Sequence, residues 1–542
     1  MATERPDIRS MIKNAKQVGN VFSWRIYGLE KIYITLRKDV KLPVGSYVFV
    51  KDDDGLPIVY QVASPTYYRY SFDFEKRLIA HGGISRDEAH TYDCVGILVG
   101  KVLEVVEEEG ESRRKKIEIQ PPRYPVPPLS EVYECTSDLM EILTRPSSEP
   151  IVKIGKEPLT GLEVKIALRA LIRQGLLISG AQGTGKTTAL LTLICRSLET
   201  YPSLRFLVLD WTGEMRVLEQ LNGKRFGNPP RQISANALPW DSKIDLVYTG
   251  PDLLVRLIRE DDPRVRGAVE GALNDTLALC AKKKMPLTKT NLQSIVDGEI
   301  KDVRKDTTIK AVKKVISGSK WIPDEAAEEK LPENIINQFI RELESVNIYV
   351  VDFSKTENPE IPDEFEFKKM MAEVMAWHVW NTARIRKDFG CVVVSDEAHR
   401  ICPERGYGEL PGIWLRLATE GGRNGCPLWL VARRLSLVSK SVTTELQQNF
   451  FCFNVEDVDR RRVSEDLGET FASLLGSLPP GEAVVKSAAG FRIPGQVIHV
   501  CFDQVLKPSS AEYGLEERFP ERGVGEAGGS RGRLSVRSQK GL

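Results

Sequence analysis

The sequence predicts an α/β protein in two parts: a small N-terminal β-barrel, then a core built on a parallel central sheet and interrupted by a helical insertion. Three observations carry that prediction. Short β-type runs separated by turn residues fill the first 120 residues. From about Ile151 apolar strand runs alternate with helical spacing, the pattern of a parallel sheet covered on both faces. The stretch SGAQGTGKTTALL, Ser179 to Leu191, sets a glycine loop between an apolar strand and a helix.

The barrel is read over residues 1–120, from runs beginning at Ile32, Ser46, Ile58, Val95 and Lys116, with Asp54-Gly55 as a hairpin turn between the second and third. The Pro-rich PPRYPVPPLS then reads as a stiff linker within 121–150. The core spans 151–505, with strands starting at Leu176, Phe206, Ile348, Val392, Leu428, Phe450 and Gln496. Between about 251 and 345 the pattern is helical: Val265, Val269, Leu273 and Leu277 recur every fourth residue, and Ile336, Ile340 and Leu343 repeat the spacing. Residues 506–542 turn Gly-, Ser-, Glu- and Arg-rich and read as a flexible tail.

Composition narrows the function. Lys+Arg 76 against Asp+Glu 75 leaves no global basic bias, so any nucleic-acid surface must be local, such as the lining of a channel. The nine cysteines form no C-x-x-C pair and meet only five histidines, which argues against structural zinc and for reduced thiols in a cytoplasmic protein. MATERPDIRS lacks the apolar core of a signal peptide, and no run approaches the roughly 18 apolar residues of a membrane span.

Gly180, Gly185, Lys186 and Thr187 satisfy G-x-x-x-x-G-K-[ST], with Gln182, Gly183 and Thr184 inside the loop and Thr188 adding a second hydroxyl. Glycines let successive N–H groups face phosphates, Lys186 adds a mobile cation, and Thr187 offers a hydroxyl to Mg²⁺. ATP with Mg²⁺ is the expected cofactor. In CVVVSDEAH, Asp396 ends a buried strand where a carboxylate holds Mg²⁺ through water, and Glu397 beside it suits the base for an attacking water. The adjacent pair points to an ATP hydrolase and away from a small-molecule kinase.

LDWTGE brings Asp210 and Glu214 to another strand end, which can lie beside the nucleotide or be ordinary turn chemistry. Arg423, in TEGGRNG, can complete a neighbour's site as an arginine finger, sense the γ-phosphate in its own subunit, or simply face solvent. Arg433 follows the strand from Leu428 to Val431; it points at the γ-phosphate if that strand lies beside the one carrying Asp396, and otherwise forms a salt bridge or meets solvent. Lys282 to Lys284 and Arg113 to Lys116 read as solvated faces rather than DNA contacts.

With these residues in place the chain resembles the HerA group of the HerA/FtsK ATPases, the archaeal and bacterial hexameric DNA translocases. LVLDWTGEM looks like the family's second-strand motif, VVVSDEAHRICP matches its Asp-Glu-Ala-His motif, TEGGRNGCPLWLVARRLS aligns with its Gly-Arg stretch and following strand, and LPPGEAVV looks like its closing strand. Two departures stand out: Ala432-Arg433 replaces the family's Ser-Gln, and Gln174 lies near the place of its His before the P-loop strand. The resemblance implies a RecA-like P-loop ATPase core, a HAS-barrel-like N-terminal domain, a homo-hexamer with ATP at each subunit boundary, double-stranded DNA in a central pore, and a NurA-type nuclease partner in DNA-end processing. Two rivals remain: a DNA-pumping ATPase of conjugation or secretion, and a nucleotide-gated scaffold for a nuclease or defence effector.

Overall fold

The computed structural model describes residues 7–22, 29–64, 67–70, 90–109, 112–221, 231–234, 263–285, 288–318, 334–354, 364–404 and 412–507. The predicted tail lies almost wholly outside them. Among the described residues no helix is long and apolar enough to cross a membrane.

Eight strands build the N-terminal part: β1 (Gln17–Val21), β2 (Lys31–Leu36), β3 (Tyr47–Lys51), β4 (Pro57–Val62), β5 (Tyr67–Tyr70), β6 (His90–Glu109), β7 (Ser112–Gln120) and β8 (Glu131–Glu134). Six of them close on themselves in the order β2-β1-β8-β3-β4-β6, with β6 pairing back to β2, while β5 and β7 extend from β6 outside the ring. Closure leaves those six without an open edge. Ile34, Val48, Tyr60 and Val132 meet inside. Strand β8 lies in the segment expected as linker. Its Val132 is fully buried and pairs with Val50, so the chain after the Pro-rich stretch returns to complete the barrel.

The core is one eleven-stranded sheet. Its strands are β9 (Ile151–Lys156), β10 (Glu163–Ala167), β11 (Leu176–Ser179), β12 (Phe206–Asp210), β13 (Arg231–Ser234), β14 (Ile348–Asp352), β15 (Val392–Ser395), β16 (Leu428–Ala432), β17 (Asn449–Cys452), β18 (Glu482–Ser487) and β19 (Gln496–Phe502). They run in the order β10-β9-β19-β18-β17-β11-β16-β15-β12-β14-β13. The pairings from β17 to β13 are parallel and the remainder antiparallel. The parallel strands β11, β12, β14, β15, β16 and β17 are buried at every position, because helices cover both faces. Alternate residues feed two cores. Leu177, Leu207, Val351, Val393 and Leu430 pack with Trp380 and Trp414 on one face. Ile178, Val208, Val350, Val394 and Val431 pack against Leu190, Leu191 and Ile194 of the P-loop helix (Lys186–Thr200) on the other.

The helical insertion holds a small core of its own, with Val269, Leu273, Leu277, Leu292, Val312 and Ile316 from three helices. Its expected last helix, Asn334–Glu344, belongs elsewhere: Phe339, Ile340 and Leu343 join the sheet's own core. The barrel is bonded to the sheet at β19, where Gln61 Nε2 donates to the Val497 carbonyl (2.9 Å) and Gln496 Nε2 to the Tyr47 hydroxyl (2.9 Å).

Candidate active site

The loop after β11 has the backbone its glycines foretold. Gly183 and Gly185 take φ of +75° and +108°, a region open to glycine. A Cβ at Gly180 would come within 2.6 Å of the Phe453 Cβ, and one at Gly185 within 3.0 Å of Gly481. The loop is held from both sides: Ala181 N–H donates to the Asn454 carbonyl (2.6 Å), and Gly481 N–H to the Thr184 carbonyl (2.9 Å). None of these braces was legible in the sequence, since they arrive from segments flanking β17 and β18, some 270 to 300 residues further along. Lys186 Nζ donates to the Ala181 carbonyl (2.6 Å), which sets the ammonium over the loop. Burial pushes its pKa down to about 8, against the Glu397 and Glu214 carboxylates, and Arg433 lowers it further. Those four groups therefore share one field.

Strand order brings the acidic motifs to the same edge. β11 is separated from β15 by β16 alone, and β12 lies beyond β15. The turn after β12 meets the P-loop directly: the Thr187 hydroxyl donates to Glu214 Oε2 (2.6 Å). Asp210 accepts from Gly213 N–H (2.7 Å) and Met215 N–H (3.0 Å). Asp396 accepts from Trp211 N–H (2.9 Å) and from the Thr212 hydroxyl (2.6 Å). Both carboxylates sit above their ordinary pKa because they are buried and near further acids, Asp352 beside Asp210 and Asp210 beside Asp396. Asp396 thus holds the turn with one oxygen accepting from Trp211 and the other from Thr212, and Glu214 is the carboxylate that touches Thr187.

Glu397 lies 3.1 Å from His399 Nδ1, off the line of a hydrogen bond, and its buried Oε2 accepts none among the described residues. Such an oxygen is available to a water. Among the described residues no group of three or more His, Cys, Asp or Glu could hold a metal. A cation here would rest on the Thr187 hydroxyl, carboxylate oxygens, water and phosphate, the hard donors that suit Mg²⁺.

The two arginines separate. Strand β16 pairs with β15 on one side and β11 on the other, so Arg433, at its carboxyl end, stands exposed at the phosphate edge. Arg423 lies in the turn Gly421–Asn424 before the amino end of β16. At about 3.3 Å per residue the strand alone puts about 13 Å between that turn and the P-loop edge, so the reading of Arg423 as a γ-phosphate sensor in its own subunit fails. Arg423 instead lines a cleft of about 870 Å³ at the opposite edge, with Arg173, Gln174 and Arg492.

A glycine cradle on a central parallel strand, a lysine over it, and carboxylates converging from the neighbouring strand ends define a P-loop ATPase with a RecA-like core. Within the chain, residues 152–362 match the family profile described as "Helicase HerA, central domain". No curated protein matches the chain. Solved structures that resemble it include VirB4 of Thermoanaerobacter pseudethanolicus, at 15% identity over 65% of this chain and 96% of that one, TM-score 0.43. Another is the bacterial conjugative coupling protein TrwBΔN70, at 12% identity over 67% and 91%, TM-score 0.44. A third is the genome-packaging NTPase B204 from Sulfolobus turreted icosahedral virus 2 with ATP-γS, at 11% identity over 61% and 97%, TM-score 0.30.

Proposed function

We propose that the chain is an ATP-driven translocase that works on double-stranded DNA as a ring of six, with a NurA-type nuclease as partner in DNA-end processing. The observation that carries the reading is the placement of Arg423: it lies at the sheet edge opposite its own P-loop, where a head-to-tail neighbour would present its nucleotide. In this reading the N–H groups of residues 182–188 and Lys186 bind the ATP phosphates. Thr187 and, through water, Asp396 hold Mg²⁺, which neutralises phosphate charge when bound. Asp210 shapes the turn that brings Glu214 to Thr187. Glu397 takes the proton from the attacking water, and Arg423 of one subunit meets the charge that develops in the next subunit's site. Arg433 binds phosphate oxygens before and during transfer, which tightens ATP binding more than it speeds hydrolysis.

Mixing two inactive variants tests the trans assignment. Lys186→Ala lacks a working P-loop and Arg423→Ala a working finger, yet in a mixed ring some boundaries pair the intact half of each. Random assembly of equal amounts makes about one boundary in four complete. DNA-stimulated ATPase should therefore reappear at about that fraction of the native rate. Mixtures as inactive as their components would remove Arg423 from the neighbour's site.

A further inference from the structure

We propose that Arg216 and Asp352 are positioning residues that fix Glu214 against Thr187, through a clasp reaching from the end of β14 over the turn that follows β12. The inference rests on the reading of Glu214 as a nucleotide-site carboxylate. The geometry is local. Asp210 and Asp352 are register partners at the ends of two parallel strands, and both are fully buried. Arg216 Nε donates to Asp352 Oδ2 (2.8 Å) and Arg216 Nη2 to the Ser354 hydroxyl (3.1 Å). The Ser354 hydroxyl and N–H in turn donate to Asp352 Oδ1 (2.5 and 2.9 Å).

These bonds bracket Glu214. On its amino side Gly213 has φ +80°, gives its N–H to Asp210, and packs so closely that a Cβ there would lie 2.7 Å from the Ser354 hydroxyl. On its carboxyl side Met215 gives its N–H to Asp210, and Arg216 is tied to β14. The backbone at Glu214 is therefore pinned one residue before and one to two residues after. Pinning there converts into a fixed carboxylate at the Thr187 hydroxyl. A turn held for stability alone has no need of a buried carboxylate at this place, since a neutral amide bonds an N–H at a smaller desolvation cost. Charge on Asp352 matters because it orients a guanidinium, whose planar fork spans Asp352 and Ser354 at once.

The test is a double-variant cycle on the full chain, with three readouts: affinity for a non-hydrolysable ATP analogue with and without Mg²⁺, steady-state kcat and KM, and Tm. Glu214→Gln should lower the gain in analogue affinity that Mg²⁺ gives the native protein, because Glu214 holds the Thr187 hydroxyl that would meet the ion. Arg216→Gln should lower that gain and kcat by about 10- to 100-fold, with affinity in the absence of Mg²⁺ unchanged, as for outer-shell partners generally. Arg216→Lys should recover part of the loss, because it restores the ion pair with Asp352 and not the bond to Ser354. Glu214→Gln combined with Arg216→Gln should be no worse than Glu214→Gln alone. Losses that add, or an Arg216→Gln variant that merely lowers Tm and weakens Mg²⁺-free and Mg²⁺-bound analogue alike, would overturn the clasp. A Glu214→Gln variant that keeps the native Mg²⁺ gain would instead sink the reading of Glu214 itself. Should Arg216→Gln fail to fold, Ser354→Ala removes one arm of the clasp and is expected to lower the same gain by a smaller factor; an unchanged gain there would count against the proposal.

Discussion

Lys186 is the residue on which the electrostatics of the site converge, and with Lys186 on the phosphates as proposed, its pKa of about 8 would make nucleotide binding sensitive to mild alkali. Phosphate binds the ammonium form and so raises this pKa. Affinity is thus fully present below pH 8 and declines as pH rises beyond it, by up to about tenfold per unit. Titrating analogue affinity between about pH 7.5 and 9.5 should show that decline in the native protein and a flat profile in Lys186→Arg, whose guanidinium stays charged. A flat native profile would take Lys186 off the phosphates. The residues of this motif were legible because the chemistry demands them in consecutive positions. Phe453, Asn454 and Gly481, which hold the loop in shape, were not. Each contributes a carbonyl, an N–H or a close approach that many residue types supply, so no side-chain pattern marks them.

At the scale of an element, packing fixes the turn that carries Arg423. A Cβ on Gly422 would overlap the Arg173 carbonyl oxygen, backbone that has no rotamer to yield. Gly422→Ala should cost about 1–3 kcal/mol and displace Arg423. We expect Tm to fall by several degrees and DNA-stimulated ATPase to drop, while analogue affinity, set at the far edge of the sheet, stays native; native turnover despite the lower Tm would show that the position of Arg423 does not matter. Among elements, the long apolar strands β11, β12, β14, β15 and β16 were readable because burial on both faces leaves unbroken hydrophobic runs. β8 escaped notice. Four residues with glutamates at both ends and one fully buried valine carry too little periodicity, and only the barrel's closure calls them into a strand. The helix Asn334–Glu344 shows the converse: its spacing was visible, but spacing says nothing of which core a helix serves.

At the scale of the molecule, a net charge of +1 gives no overall basic bias, so DNA contacts must be local, and the proposed ring would gather them in its channel. Duplex affinity should then fall linearly on a log–log plot against salt, with a slope of about 0.9 per phosphate contacted, and native mass should report six chains under the same conditions. Salt-independent binding, or a monomer active in hydrolysis, would remove the ring. Strand β16 has a mechanical consequence for such an assembly. It carries Arg423's turn at one end and Arg433 at the other, and backbone hydrogen bonds lock it between β11 and β15 along its length. A strand so held slips only by whole register steps, and a step of two residues is about 6.6 Å, far too coarse for a working stroke. It therefore behaves as a strut: whatever tilts the nucleotide edge of a subunit must swing its opposite edge as well, and neighbouring sites would exchange timing through rotation of whole subunits rather than through any sliding within the sheet.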